Sequence, residues 1–133
     1  MIDEKTLAEA ARKTSLNAYA PYSKFRVGAA VLTDKGEMFT GCNVENATYG
    51  LASCAERNAI YNAVIHSGND VKITKVVVYT PTDEPTSPCG ICRQVIHEFG
   101  ENVEVISVCD GPNQMRSTSN ELLPKAFGPR DLL

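Results

Sequence analysis

The alternation of helix and strand signals along the chain predicts an α/β fold, one mixed sheet with helices on its faces. Three observations carry this reading. Residues 73–79 (Ile-Thr-Lys-Val-Val-Val-Tyr) are β-branched nearly throughout, the pattern of a strand buried on both faces. Helical stretches closed by glycine or proline stand before and after it. Short strand signals joined by compact turns occur toward both ends of the chain.

Residues 3–19 read as the first helix. Asp3 suits its N-cap, Leu7, Ala10, Ala11 and Ala18 fall on one stripe, and Pro21 ends it. Residues 26–33 form a strand of small side chains, and Asp34-Lys35-Gly36 turns the chain into a second strand at 38–42. Residues 54–65 are a second helix stopped by Gly68. After the central strand, Pro81, Pro85 and Pro88 make 80–88 a loop. Residues 89–99 form a third helix closed by Gly100, and 103–108 the next strand. Asp110-Gly111-Pro112-Asn113 then turns back toward a short strand at 115–118, which favours an antiparallel last pair. Residues 121–126 read as a final short helix.

A length of 133 residues sets a single domain, and 43% hydrophobic residues can fill a core. The net charge of −3 offers no basic footprint for a nucleic acid polymer. No apolar run reaches membrane-spanning length, and the polar start Met1-Ile2-Asp3-Glu4 leads to the expectation of no signal peptide. Five cysteines is an odd number. It argues for metal or thiolate chemistry over a disulfide framework, and the expected compartment is the cytoplasm.

The chemistry concentrates in two motifs, Cys54-Ala55-Glu56 and Pro88-Cys89-Gly90-Ile91-Cys92. A Cys-x-x-Cys pair holds two thiolates close enough to share one metal ion, and Cys54 adds a third from another element. Three protein ligands leave the fourth position of a tetrahedral Zn²⁺ open for water, as in a catalytic site. Each motif falls at the start of a helix, whose dipole and free N–H groups favour thiolates. Glu56 follows a ligand by two residues, so it approaches the metal without coordinating it and can shuttle protons. Three thiolates leave the site negatively charged, which weakens a Lewis acid, and Arg57 or Arg93 can offset that. Cys42 and Cys109 read as core thiols, and His66 and His97 as surface or satisfied histidines without metal spacing. Asn43 and Glu45 stand two apart on an extended segment, so both side chains can face one way and offer polar groups to a sugar hydroxyl.

These motifs resemble the small homotetrameric cytidine deaminases of pyrimidine salvage. The resemblance runs through Tyr22–Ala30 (Tyr-Ser-Lys-Phe-Arg-Val-Gly-Ala-Ala), Gly41-Cys42-Asn43-Val44-Glu45-Asn46-Ala47, Cys54-Ala55-Glu56-Arg57, Ser87–Val95, Glu121-Leu122-Leu123-Pro124 and Phe127-Gly128-Pro129. It implies a three-layer α/β/α sandwich on a five-stranded mixed sheet. It implies zinc held by Cys54, Cys89 and Cys92, catalysis by Glu56, and Arg57 bonded to the thiolates. It also implies that Asn43 and Glu45 grip the ribose 3′-hydroxyl, that the Ala55 N–H donates to pyrimidine O2, and that Phe25 lies against the base. Tyr49 and Phe127 match aromatics at subunit boundaries, Phe127 reaching a neighbour's pocket. Asn58 departs from the family, where many members have Thr.

The expected reaction is hydrolytic deamination of cytidine and deoxycytidine, giving uridine, deoxyuridine and ammonia. A deaminase of modified cytosine nucleosides, such as a blasticidin-type antibiotic, shares the two cysteine motifs. A non-catalytic zinc module that assembles partners is the reading from outside enzymology. Ammonia release separates the enzymes from it.

Overall fold

The computed structural model describes residues 1–133. Its sheet has five strands, β1 (Gly28–Thr33), β2 (Met38–Cys42), β3 (Ile73–Tyr79), β4 (Glu104–Val108) and β5 (Met115–Thr118), in the order β2-β1-β3-β4-β5. Strand β1 pairs antiparallel with both β2 and β3, β3 runs parallel to β4, and β4 pairs antiparallel with β5. The sheet is therefore mixed, with its β-branched strand at the centre and the last pair antiparallel.

Side chains alternate across the pleat, so each strand feeds two cores. On one face Leu7 and Ala11 of α1 (Glu4–Ser15) pack with Ala30, Val77, Tyr79, Ile106 and Val108. On the other, Ala55, Ala59, Ile60 and Ala63 of α2 (Ala55–Ser67) and Ile96 of α3 (Gly90–Glu98) pack with Ala29, Val31, Val76 and Val105. Helices thus cover both faces, which makes the three layers. The sheet accepts α1 closely because Gly28 has no side chain: a Cβ there would lie 1.8 Å from the Ala11 carbonyl oxygen.

The first helix is shorter than its apolar pattern. Asp3 caps it by accepting from the Thr6 N–H at 2.9 Å, but it ends at Ser15, not at 19. The cause is long-range. The Tyr19 N–H donates to the Asn43 carbonyl at 3.0 Å and the Tyr19 carbonyl accepts from the Glu45 N–H at 2.8 Å. Backbone committed to that bridge cannot also close helical turns. The last helix, α4 (Ser119–Leu122), begins before the predicted 121–126 and stops before Pro124. Thr118 and Glu121 form a reciprocal capping box that fixes its start.

Glu4, at the head of α1, bonds Lys75 at 3.0 Å and Arg116 at 2.6 Å, tying the helix to β3 and β5. The Arg116 guanidinium, then Lys75, holds this carboxyl down to about 2. Its side chain is more than one-third exposed, so such a network stabilises by under about 1 kcal/mol.

Candidate active site

Both cysteine motifs sit where a helix begins. Cys54 is the N-cap of α2 and Cys89 the N-cap of α3, each with extended backbone and a side chain free of capping duty. Cys92 lies in the first turn of α3, fully buried. The three sulfurs all lie within 4.8 Å of one another, with Cys54 and Cys89 at 3.9 Å. Thiolates about 2.3 Å from a tetrahedral zinc stand about 3.8 Å apart. The cluster therefore fits zinc with little movement, and its all-sulfur donor set suits that metal.

Local electrostatics favour a thiolate at Cys54. The Cys54 thiol is pulled down to about 5, first by its hydrogen bond with Cys92 and then, against burial, by the Arg57 guanidinium. Cys92 is pushed in the opposite direction by the same hydrogen bond and by burial. Arg57 Nη2 lies 3.5 Å from Cys54 Sγ and 3.3 Å from the Ala52 carbonyl. Arg93 is spent elsewhere. Its guanidinium donates to the Pro88 and Leu122 carbonyls at 2.8 and 3.0 Å and to Ser87 Oγ at 2.8 Å. Of the two arginines, Arg57 is the one on a cluster sulfur, and Arg93 braces the loop before Cys89.

Glu56 follows on the first turn of α2 and is only 5% exposed. Burial pushes its carboxyl above the ordinary carboxylate range, and the charge of Cys54 pushes the same way. A raised carboxyl holds and releases protons nearer neutrality, the property a general acid and base needs.

Cys54, Ala55 and Glu56 open onto a cavity of about 310 Å³, at the small end of small-molecule sites. Phe25, Val27, Ser23, Asn43, Glu45, Val78, Thr80, Thr86 and Ser87 complete its lining. Ala55 is the first residue of α2, where backbone N–H groups lack intrahelical acceptors and can donate to a ligand. Phe25, Asn43 and Glu45 thus come together with the cysteine cluster. Val78, Thr80 and Thr86 line the cavity from outside every sequence motif, while Ser23, Val27 and Ser87 lie within the stretches that carry the resemblance but had no site role expected of them. Thr86 and Ser87 stand immediately before Pro88-Cys89, and that adjacency was the signal available.

Asn43 and Glu45 also hold the chain around Phe25. Asn43 Oδ1 accepts from the Val27 N–H and its Nδ2 donates to the Phe25 carbonyl, both at 2.8 Å. Glu45 accepts from the Tyr22 and Ser23 N–H groups at 3.1 Å and from the Ser23 hydroxyl. The Ser23 hydroxyl, then those amides, holds the Glu45 carboxyl below its usual range, so it is ionised at neutral pH. The segment that presents Phe25 is therefore pinned by the two polar side chains beside it.

Tyr49 and Phe127 do not line this cavity. They are 78% and 60% exposed, Tyr49 edge-on to Tyr22 at 6.2 Å and Phe127 on the tail, its carbonyl accepting from Gln94 at 2.8 Å. Cys109 is buried, while Cys42 is only half-buried. His66 is exposed and bonds the Asn62 carbonyl at 2.9 Å. His97 departs from the expectation of a surface or satisfied side chain, because its Nδ1 is buried without a partner. It packs beneath Gly128, where a Cβ would fall 2.6 Å from Nε2. A larger groove of about 1110 Å³ lies on that side, lined by Lys72, His97, Glu101, Lys125 and Arg130 among others and by none of the three clustered cysteines.

A three-cysteine zinc centre beside a buried carboxylate, opening onto a small cavity in an α/β/α sandwich, defines a zinc hydrolase of the deaminase kind. Comparison with known proteins agrees. The family described as "Cytidine and deoxycytidylate deaminase zinc-binding region" matches residues 1–109. A cytidine deaminase of Sporosarcina psychrophila is 42% identical over 130 residues, 97% of this chain and 93% of the relative. A probable cytidine deaminase of Dictyostelium discoideum is 43% identical over 94% of this chain and 84% of its own length. The crystal structure of cytidine deaminase from Burkholderia pseudomallei superposes with a TM-score of 0.89 at 42% identity, covering 95% of this chain and all of that one. The chain belongs to the cytidine and deoxycytidylate deaminase zinc-binding family.

Proposed function

We propose that this protein is a cytoplasmic hydrolase of pyrimidine salvage that deaminates cytidine and deoxycytidine to uridine and deoxyuridine, releasing ammonia. The observation that carries the reading is Glu56, buried beside three convergent cysteine sulfurs on the wall of a nucleoside-sized cavity. Relatives named cytidine deaminase across nearly the whole chain support it.

Cys54, Cys89 and Cys92 would hold a zinc ion, which when bound would supply Lewis-acid activation of a water. Glu56 takes a proton from the attacking water, delivers one to ring N3, and passes the water's second proton to the departing amine, so water and cytidine give uridine and ammonia. Phe25 lies against the base, the Ala55 N–H donates to the pyrimidine O2, and Asn43 and Glu45 hold the sugar 3′-hydroxyl. Arg57 offsets the negative charge of the thiolates. An assay of cytosine nucleosides by ultraviolet absorbance, with ammonia measured in parallel, tests the reading. A zinc-loaded protein that releases no ammonia from cytidine or deoxycytidine would overturn it.

The 133 residues form one catalytic domain of a homotetramer in this reading. A nucleoside site buries most of its ligand, and one small subunit offers limited wall. Apolar side chains stand exposed on the tail and on the outer side of α2, among them Phe127, Tyr61 and Ile65. In a closed symmetric assembly these become contacts, and Phe127 completes a neighbour's pocket. Tyr49 lies at the same boundary. Phe127→Ala alone is then strongly impaired. Mixing inactive Glu56→Gln subunits with Phe127→Ala subunits restores part of the activity, because some pockets combine an intact Glu56 with a donated Phe127. Mixed tetramers that recover nothing would show that Phe127 does not act across an interface.

A further inference from the structure

Asn58 spans the seam between the sugar-facing segment and the reacting turn. Its Nδ2 donates to the Cys42 carbonyl at 2.7 Å, and its Oδ1 accepts from Ser53 Oγ at 2.7 Å. Cys42 immediately precedes Asn43, and Ser53 immediately precedes Cys54. Between these anchors, Val44 and Ser53 exchange backbone hydrogen bonds of 2.9 Å in both directions. So Val44, between Asn43 and Glu45, is laid against Ser53, the residue before the first cysteine of the cluster, and one amide side chain bonds both Ser53 and the carbonyl just before Asn43. Gly41 sits on the same seam. A Cβ there would meet the Ala59 nitrogen at 2.3 Å and the Ala55 carbonyl oxygen at 2.7 Å, so strand β2 and helix α2 touch backbone to backbone.

We infer that Asn58 is a positioning residue that fixes Asn43 and Glu45 relative to Cys54, Ala55 and Glu56, so that contact with a sugar hydroxyl is converted into alignment of the base at Glu56. The inference rests on the nucleoside reading proposed above. Binding energy from a remote part of a substrate raises turnover only when the connection to the reacting centre is stiff. A displacement of about 1 Å there costs on the order of a hundredfold in rate. An amide is the side chain that suits this seam, since it donates to a carbonyl and accepts from a hydroxyl at once. Asp at this position lacks the donor, and Ala lacks both groups.

The test compares cytidine with 3′-deoxycytidine on zinc-loaded wild type, Asn58→Ala and Ser53→Ala. Wild type is expected to favour cytidine. Asn58→Ala keeps its zinc but loses about tenfold in kcat on cytidine, with a much smaller loss on 3′-deoxycytidine, so the discrimination shrinks. Ser53→Ala keeps the bond to Cys42 and shows the same pattern more weakly. It carries the test if Asn58→Ala does not fold. Equal losses on both substrates, or no loss on either, would mean that the seam is only structural and would overturn the inference. A wild type that does not discriminate the 3′-hydroxyl would overturn the sugar-binding reading, and the positioning role with it.

Discussion

Replacing Glu56 by Gln is expected to abolish turnover on cytidine while zinc content and fold persist. Gln keeps the shape of the side chain on α2 but cannot accept or return a proton. A single general acid or base contributes about 10² to 10⁴ in rate, and a group serving several transfers lies at or beyond the upper end. The loss falls in kcat, since the contacts proposed for sugar and base remain. Stability supplies an independent readout, and its sign follows from the carboxyl. Burial raises the folded-state pKa of Glu56 above its unfolded value. A raised acid favours the folded state most at low pH, where it is protonated, and that advantage is lost as pH rises through the folded pKa. Gln carries no such penalty. The metal-free variant should therefore melt at or above the wild-type temperature at neutral pH, with the difference vanishing below the unfolded carboxylate pKa of about 4.3. A Glu56→Gln protein with near wild-type kcat would end the assigned role. A protein that lost activity only because it unfolded would contradict the stability argument.

The features legible in the sequence are those set by local pattern. Strand β3 announces itself because its side chains must be apolar on both faces, and it lies at the sheet centre. The cysteines are legible because metal ligation constrains spacing within a helical turn, as Cys89 and Cys92 show. Features that depend on distant partners are not. Nothing near Tyr19 signals that its backbone will pair with Asn43 and Glu45, so the apolar stripe overstates α1. The start of α4 had a local signal, Thr118-Ser119-Asn120-Glu121, a capping-box pattern masked by the strand that ends on the same threonine. Asn43 and Glu45 were visible as a polar pair, but not as the anchors of the Phe25 segment, because that segment precedes them by about one hairpin. Asn58 stands out in sequence only as a departure from a common threonine, and its bonds to Cys42 and Ser53 exist only once strand and helix are packed.

The second large effect is expected at the metal. A Cys89→Ala/Cys92→Ala double variant should retain almost no zinc and no measurable deaminase activity, by elemental analysis of purified protein and by ammonia release. The double change is the decisive one. Removing Cys89 alone leaves two converging sulfurs, Cys54 and Cys92, which can still hold a metal weakly. With both gone, Cys54 is the only cysteine left in the cluster, and a lone thiolate cannot retain zinc against the buffer. The protein need not unfold. Cys89 is exposed and caps α3 through its backbone, so truncating it removes little packing. Cys92 is buried, and its loss opens a space of one sulfur atom, costing on the order of 1 kcal/mol. The sheet and the two cores on its faces do not contain either residue. A folded, zinc-free, inactive protein is the predicted product, and chelation of the wild type should reproduce it reversibly, which the double variant cannot match when zinc is returned. Zinc retained undiminished in the double variant would show that the metal is held elsewhere. Cys54 would then be left as an acidic thiol at a helix start, and the role of Glu56 would have no water-activating partner beside it.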